Sequence, residues 1–294
     1  MKRILMIMAV MVAAVFTLSA QEKTKTYRFG DVKSIDAGYS YNIYVTEGAS
    51  KEVKVVYDQA LEPYLQVNWS TMGSELMLRM DELPRRLRNN DVPDIKVYVS
   101  MDEIDEIELS GAAEIFFDGR FKADGLEVDL SGASSLRGLT VEARSLSVDC
   151  SGAASFGIEG RFDGDVDMEL SGAANGRFVG TGVLFEGELS GACNLEAELE
   201  FTTCELDCSG ASDADLAGTV DRVSVDGSGA CSIDARNLKS EYASVELSGA
   251  SKAKVYADKE LRYDIPRSCK MTYYGNAKLL NQSEDNNVIK GDPR

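Results

Sequence analysis

Eight acidic residues recur at one position of a repeated motif: Glu108, Asp129, Asp149, Glu169, Glu188, Asp207, Asp226 and Glu246 each stand two residues before a Ser-Gly-Ala triplet. A further set, Glu106, Glu127, Asp167, Glu186 and Glu205, lies two residues earlier still. Residues two apart on a strand share a face, so both sets point outward together. If the repeats stack, each set becomes a column of carboxylates ~5 Å apart, repelling by ~0.8 kcal/mol per pair in water before salt screening. A bound cation relieves that repulsion, and carboxylate oxygens suit calcium or a basic protein. A solvated charged row is the plainer outcome. The eight acids are therefore the candidate binding residues, with no catalytic residue and no cofactor assigned, calcium being the one ion the chemistry admits.

Other chemistry is less well supported. Paired carboxylates also serve β-helical polysaccharide lyases and glycoside hydrolases, which makes a glycan-degrading enzyme the alternative reading. Acids are so abundant here that pairs at workable distances are inevitable, and the array shows no long loop, few exposed aromatic platforms and no histidine. We therefore expect no enzyme. The basic run Pro84-Arg85-Arg86-Leu87-Arg88-Asn89-Asn90 offers contact to an anionic glycan, against the expectation of a solvated loop. Of the six cysteines, Cys150 and Cys208 share one slot three repeats apart, and Cys193 and Cys231 share another two repeats apart. At ~4.8 Å per repeat those separations exceed disulfide reach, so the cysteines read as small buried apolar residues.

What positions the acids is the repeat itself. Ser-Gly-Ala begins at Ser110, Ser131, Ser151, Ser171, Ser190, Ser209, Ser228 and Ser248, a spacing of 19 to 21 residues. The flanking residues alternate with period two, which makes each repeat one coil of strands rather than a helix pair. Positions one and three before the serine are mostly apolar and point inward, as in Leu109 and Ile107, Leu130 and Val128, Cys150 and Val148. Gly187 and Gly227 interrupt that pattern and predict thin packing. After the triplet, inward residues of a second strand include Ile115, Leu136, Phe156, Phe178, Leu195, Leu216, Ile233 and Val255. A third strand is expected to start near Phe121, Leu139, Phe162, Val183, Leu199, Val220 and Leu238. The corner glycine permits positive φ or close approach of rungs, and Ala112 with its equivalents is expected to fill a narrow corner. The chain reads as all-β, a solenoid of about eight rungs rising ~38 Å.

Residues 21–100 form a different N-terminal β region of longer alternating strands, expected to open or cap the stack across 101–280; residues 281–294 are expected to be a loose tail. Residues 1–20 read as a signal peptide: Met1-Lys2-Arg3, an apolar run from Ile4 to Leu18, then Ser19-Ala20 before the cut. The protein is accordingly expected to be exported, to the periplasm, outer surface or extracellular space, with no membrane insertion. A formal net charge of −18 repels nucleic acid and anionic membranes while leaving basic proteins and cations as partners.

The signal peptide, the strand Tyr41-Asn42-Ile43-Tyr44-Val45-Thr46 with its Glu47-Gly48 turn, the run Ile95-Lys96-Val97-Tyr98-Val99 and the reiterated Ser-Gly-Ala together resemble the head GIN domain family of autotransporter adhesins. The resemblance covers roughly residues 27–280. It implies a right-handed parallel β-helix, a cell-envelope structural or interaction role with a protein or glycan partner, and no catalytic residues.

Overall fold

The computed structural model describes residues 22–88, 94–281 and 287–291. The expected signal peptide lies outside the described residues. The chain is a parallel β-helix in which each strand pairs in register with its equivalents one repeat before and after. Thus Leu126–Leu130 of Gly125–Leu130 pairs with Leu146–Cys150, and that strand pairs with Val166–Leu170. Register is fixed because a one-residue slip would turn every buried Val, Leu and Ile outward. The inward residues, among them Val128, Val148, Met168, Leu206 and Val245, form one continuous core along the helix axis. Each fully buried side chain of this kind contributes roughly 1.5–3 kcal/mol of transfer free energy.

The corner differs from expectation at one position. Ala112, Ala133 and Ala153 are exposed, and the residue after each triplet is the one that fills the corner. Ala113, Ser134, Ala154, Ala174, Cys193, Ser212, Cys231, Ser251 and Cys269 form this buried column of small side chains. Its polar members donate to carbonyls of their own corner or of the rung before: Ser212 Oγ to the Ser209 carbonyl and the Cys231 thiol to the Ser228 carbonyl, both at 2.9 Å, and Ser134 Oγ to the Leu109 carbonyl at 3.4 Å. The triplet stays outside because its backbone makes the contact between rungs. Ala133 N–H donates to the Gly111 carbonyl and Ala153 N–H to the Gly132 carbonyl, both at 2.7 Å.

Two further expectations are corrected. Gly187 and Gly227 do not leave thin packing, because neighbours occupy the space: a Cβ on Gly227 would lie 2.8 Å from Leu247 Cδ2, and one on Gly187 3.1 Å from Leu206 Cδ1. The third strand begins at Phe121, Val141, Gly160, Gly180, Leu199, Gly218 and Leu238, which stack in register. Val183, near which a third strand is expected to start, instead lies in the bend between Asn175–Thr181 and Leu184–Gly191 and is 48% exposed. Gly160 and Gly180 stand where Phe162 and Phe178 lay their rings across the core, and those rings stack at 5.9 Å.

The stack continues beyond the eight triplets at both ends. Ser34–Ala37 inserts between Glu75–Met80 and Glu106–Leu109, parallel to both. Tyr41–Glu47 inserts likewise between Ile95–Met101 and Glu114–Asp118. The first rung in the sequence is therefore interior, and the later strands Glu75–Met80 and Ile95–Met101 lie outside it. Tyr39, at φ 74°, takes the glycine position of that rung's corner. Strands Glu22–Arg28, Glu52–Asp58 and Leu65–Ser70 add antiparallel to this end. At the other end, the segment expected to be a loose tail instead supplies Val288–Lys290, parallel to Lys270–Tyr274. Arg85–Arg88, expected as loop, forms one short helical turn; Asn89 and Asn90 lie outside the described residues.

Candidate functional site

Strand pairing brings all eight predicted acids into a single column. Glu108 aligns with Asp129, then Asp149, Glu169, Glu188, Asp207, Asp226 and Glu246, one per rung without a gap. Two members escaped the sequence reading because no Ser-Gly-Ala follows them. Asp36 precedes Glu108 in register, and Asp264 follows Glu246. The signal that could have found both is an acid two residues before a turn at the same phase of alternation, as in Asp36-Ala37-Gly38 and Asp264-Ile265-Pro266. The second column runs through Glu106, Glu127, Ser147, Asp167, Glu186 and Glu205, so serine interrupts it once before Ser224 and Ser244 end it.

The carboxylates are not independent. Burial raises Glu106, Glu108, Asp129, Glu186 and Asp226 above the ordinary carboxylate range, and neighbouring acids push them the same way. For Glu169 the order reverses: the charges of Asp149 and Glu188 dominate over burial. Asp36, 8% exposed, is the neutralised end, ion-paired to Arg79. Away from the column the sign inverts at Asp234, where Arg236 and Lys254 hold the carboxyl at about 2.

From Asp149 onward the column forms one wall of a groove of about 870 Å³, with Ser151, Ser171, Ser190, Ser209, Ser228 and Ser248 on the other wall. The serine hydroxyls are partly committed: Ser131, Ser151 and Ser209 donate to the carbonyls of Leu109, Leu130 and Leu189 at 3.3–3.4 Å. The groove is thus a line of negative charge facing a line of small polar side chains. Its acids succeed one another along a row, and among the described residues no three His, Cys, Asp or Glu converge as a metal cage.

The remaining candidates separate from this groove. All six cysteines are buried and unpaired, and burial pushes the thiols of Cys150 and Cys204 up to about 12, which makes them poor nucleophiles. An aromatic row that the sequence reading did not anticipate lies on another face. Tyr98, Tyr44 and Phe116 stack at 5.2 Å each, closed at the ends by Lys54 over Tyr98 and Arg137 over Phe116. Their ring faces are spent on one another and on the two cations, so they brace the sheet. No helix among the described residues is long and apolar enough to cross a membrane.

Comparison with solved structures returns distant likenesses. A "putative adhesin" from Parabacteroides distasonis is 16% identical over 92% of this chain and 95% of its own, with a TM-score of 0.48. A "putative lipid binding protein" from the same organism is 16% identical over 92% and 94%, with a TM-score of 0.43. A "putative adhesin" from Parabacteroides merdae is 15% identical over 92% and 93%, with a TM-score of 0.45. The fold stands on the strand register above rather than on these likenesses. No curated protein matches the chain. A family profile described as "Putative auto-transporter adhesin, head GIN domain" matches residues 31–180 and 168–277, and the chain belongs to that family.

Proposed function

We propose that this protein is an exported, non-catalytic binding module of the cell envelope whose acidic groove receives a cationic segment of a partner protein. The observation that carries the reading is the unbroken carboxylate column from Glu108 to Asp264, lining a groove from Asp149 onward. A row of like charges spaced one rung apart costs folding free energy on its own and gains most from an extended ligand that places a cation near each rung. Calcium would bridge neighbouring carboxylates singly, with waters completing its six to eight oxygens, and so fits the row less well than a lysine- or arginine-bearing strand. Membership of an adhesin family supports an envelope role for the interaction.

The test is thermal unfolding at fixed ionic strength with an oligolysine peptide and, separately, millimolar calcium, beside the variant Asp129→Asn, Asp149→Asn, Glu169→Gln. The expected result is a rise in Tm with oligolysine that the variant loses and a smaller rise with calcium. An equal rise in the variant, or none in either protein, overturns the groove as the binding site.

A further inference from the structure

The second acidic column ends part-way along the face, and a pocket lies where it ends. In the second column, acids occupy Glu186 and Glu205, then the rungs carry Ser224, Ser244 and Arg262. Beside them, the next outward column reads Thr203, Arg222, Tyr242 and Glu260. From Thr203 and Glu205 onward these residues surround a depression of about 320 Å³. The small side chains of Ser224 and Ser244 make its floor, since larger residues stand on either side. Tyr242 forms a wall and is covered by two cations, Arg222 at 5.6 Å and Lys259 at 5.4 Å from the ring centre. Lys259 is tied to Glu241 at 2.5 Å. Among the described residues neither Arg222 nor Arg262 is ion-paired. Arg222 and Arg262 lie in adjacent outward columns two rungs apart along the axis, a rise of roughly 10 Å between their backbones, and both line the pocket.

We propose that this pocket binds an acidic sugar, a residue with one carboxylate and several hydroxyls, within an envelope glycan. The size admits one monosaccharide unit. Each guanidinium free of an ion pair presents a fork of donors, so one can take the carboxylate while the other donates to a hydroxyl of the same sugar. Glu205 and Glu260, at the pocket edge, accept hydrogen bonds from hydroxyls, and Ser224 and Ser244 can donate or accept. The surrounding charge sets the upper limit on the ligand. Asp226 and Glu246 stand two residues from the serines, and the whole chain carries −18, so a glycan with several anionic groups on each sugar is repelled while one with a single carboxylate per hydroxyl-rich unit is accommodated. The site does not rest on the acidic groove or on its cationic partner.

The experiment is calorimetric titration of the full exported chain with tetragalacturonate, with its methyl-esterified form and with inorganic phosphate, at fixed ionic strength. It is repeated on Arg222→Gln/Arg262→Gln and on the groove variant Asp129→Asn, Asp149→Asn, Glu169→Gln. The expected result is saturable binding of tetragalacturonate that weakens at least tenfold in the arginine variant and on esterification, persists in the groove variant, and is not displaced by equimolar phosphate. Equal binding by the arginine variant, no binding at millimolar ligand, or displacement by equimolar phosphate overturns the proposal. Because both variants change only outward side chains, a Tm no lower than that of the wild type certifies that each is folded. Loss of oligolysine response with retained tetragalacturonate binding separates failure of the groove reading from failure of this one.

Discussion

A methyl group added at Gly152 meets two obstacles at once. Its φ is +75°, where an L side chain is strained, and the new Cβ would lie 2.7 Å from the Gly132 carbonyl oxygen of the rung below. The strain and the overpacking together predict a loss of about 3 kcal/mol for Gly152→Ala. Gly157→Ala in the same rung, with nothing within 4 Å of the added carbon and no positive φ, should fall within about 0.5 kcal/mol of wild type. Urea unfolding of the pair measures both, and equal losses would mean the corner glycines are not constrained as described. Cysteines sort by the same logic. Cys193 sits in the corner column where Ser212 occupies the equivalent position and donates to the equivalent carbonyl, so Cys193→Ser should be near neutral. Cys150 sits among inward leucines with no acceptor among the described residues, so Cys150→Ser should cost about 1–3 kcal/mol. The alternation of apolar and acidic residues made the strand before each corner legible from sequence. The corner itself misled at Ala112, because identity across repeats marks a backbone contact as readily as a buried side chain. Ala, Ser and Cys share the buried slot next to it, and that mixture hid the column.

At the scale of the strand column, the pH dependence has an unusual sign. In the unfolded chain the carboxyls of Glu106, Glu108, Asp129, Glu169, Glu186 and Asp226 titrate near about 4. In the folded chain they are raised, by burial at five of them and by Asp149 and Glu188 at Glu169. Over the interval between those values the folded state holds protons that the unfolded state has released. Stability from these groups is therefore present on the acid side and lost as pH rises through the folded values. Tm should climb as pH falls from 7 toward the ordinary carboxylate range, and added salt at pH 7 should raise it as well. Asp234 works in the opposite direction: its carboxyl is held at about 2, so its contribution is present above the ordinary range and lost only below it. A scanning calorimetry series between pH 4.5 and 8 in low and high salt decides the point. A Tm that falls steadily on acidification, or is indifferent to salt, would show that the column is fully relaxed by solvent. Sequence periodicity revealed eight of these acids; Asp36 and Asp264 stayed hidden because their rungs turn at Gly38-Tyr39-Ser40 and Pro266-Arg267-Ser268 instead of the triplet.

For the whole molecule, the decisive feature is that each rung touches only its neighbours, so stability is distributed along one dimension and the two ends set where opening begins. The ends are unlike. At the N-terminal end the rung built from Ser34–Ala37 and Tyr41–Glu47 is covered by the rung of Glu75–Met80 and Ile95–Met101; two antiparallel strands pair with that outer rung, and a third, Glu22–Arg28, pairs with one of them. Local sequence patterns could not reveal this, since alternation predicts strands but not that a later strand inserts outside an earlier one. It also locks the end topologically: the inner rung cannot fray until the outer one has left. At the C-terminal end, Lys278–Asn281 and Val288–Lys290 are the last strands, and among the described residues nothing pairs with their outer edges. Hydrogen exchange should therefore show a gradient, with fast exchange in Lys278–Asn281 and Val288–Lys290, rising protection through 252–264, and a plateau that extends from the central rungs back to Tyr41–Glu47 despite its position near the start of the chain. Leu261→Ala, which opens a cavity in the penultimate rung on that face, should cost about 2–5 kcal/mol locally and accelerate exchange in 260–281 while leaving 34–47 unchanged. Acceleration of equal size at both ends would mean that the helix unfolds as one cooperative unit, and that the antiparallel strands confer no separate protection on the end they cover.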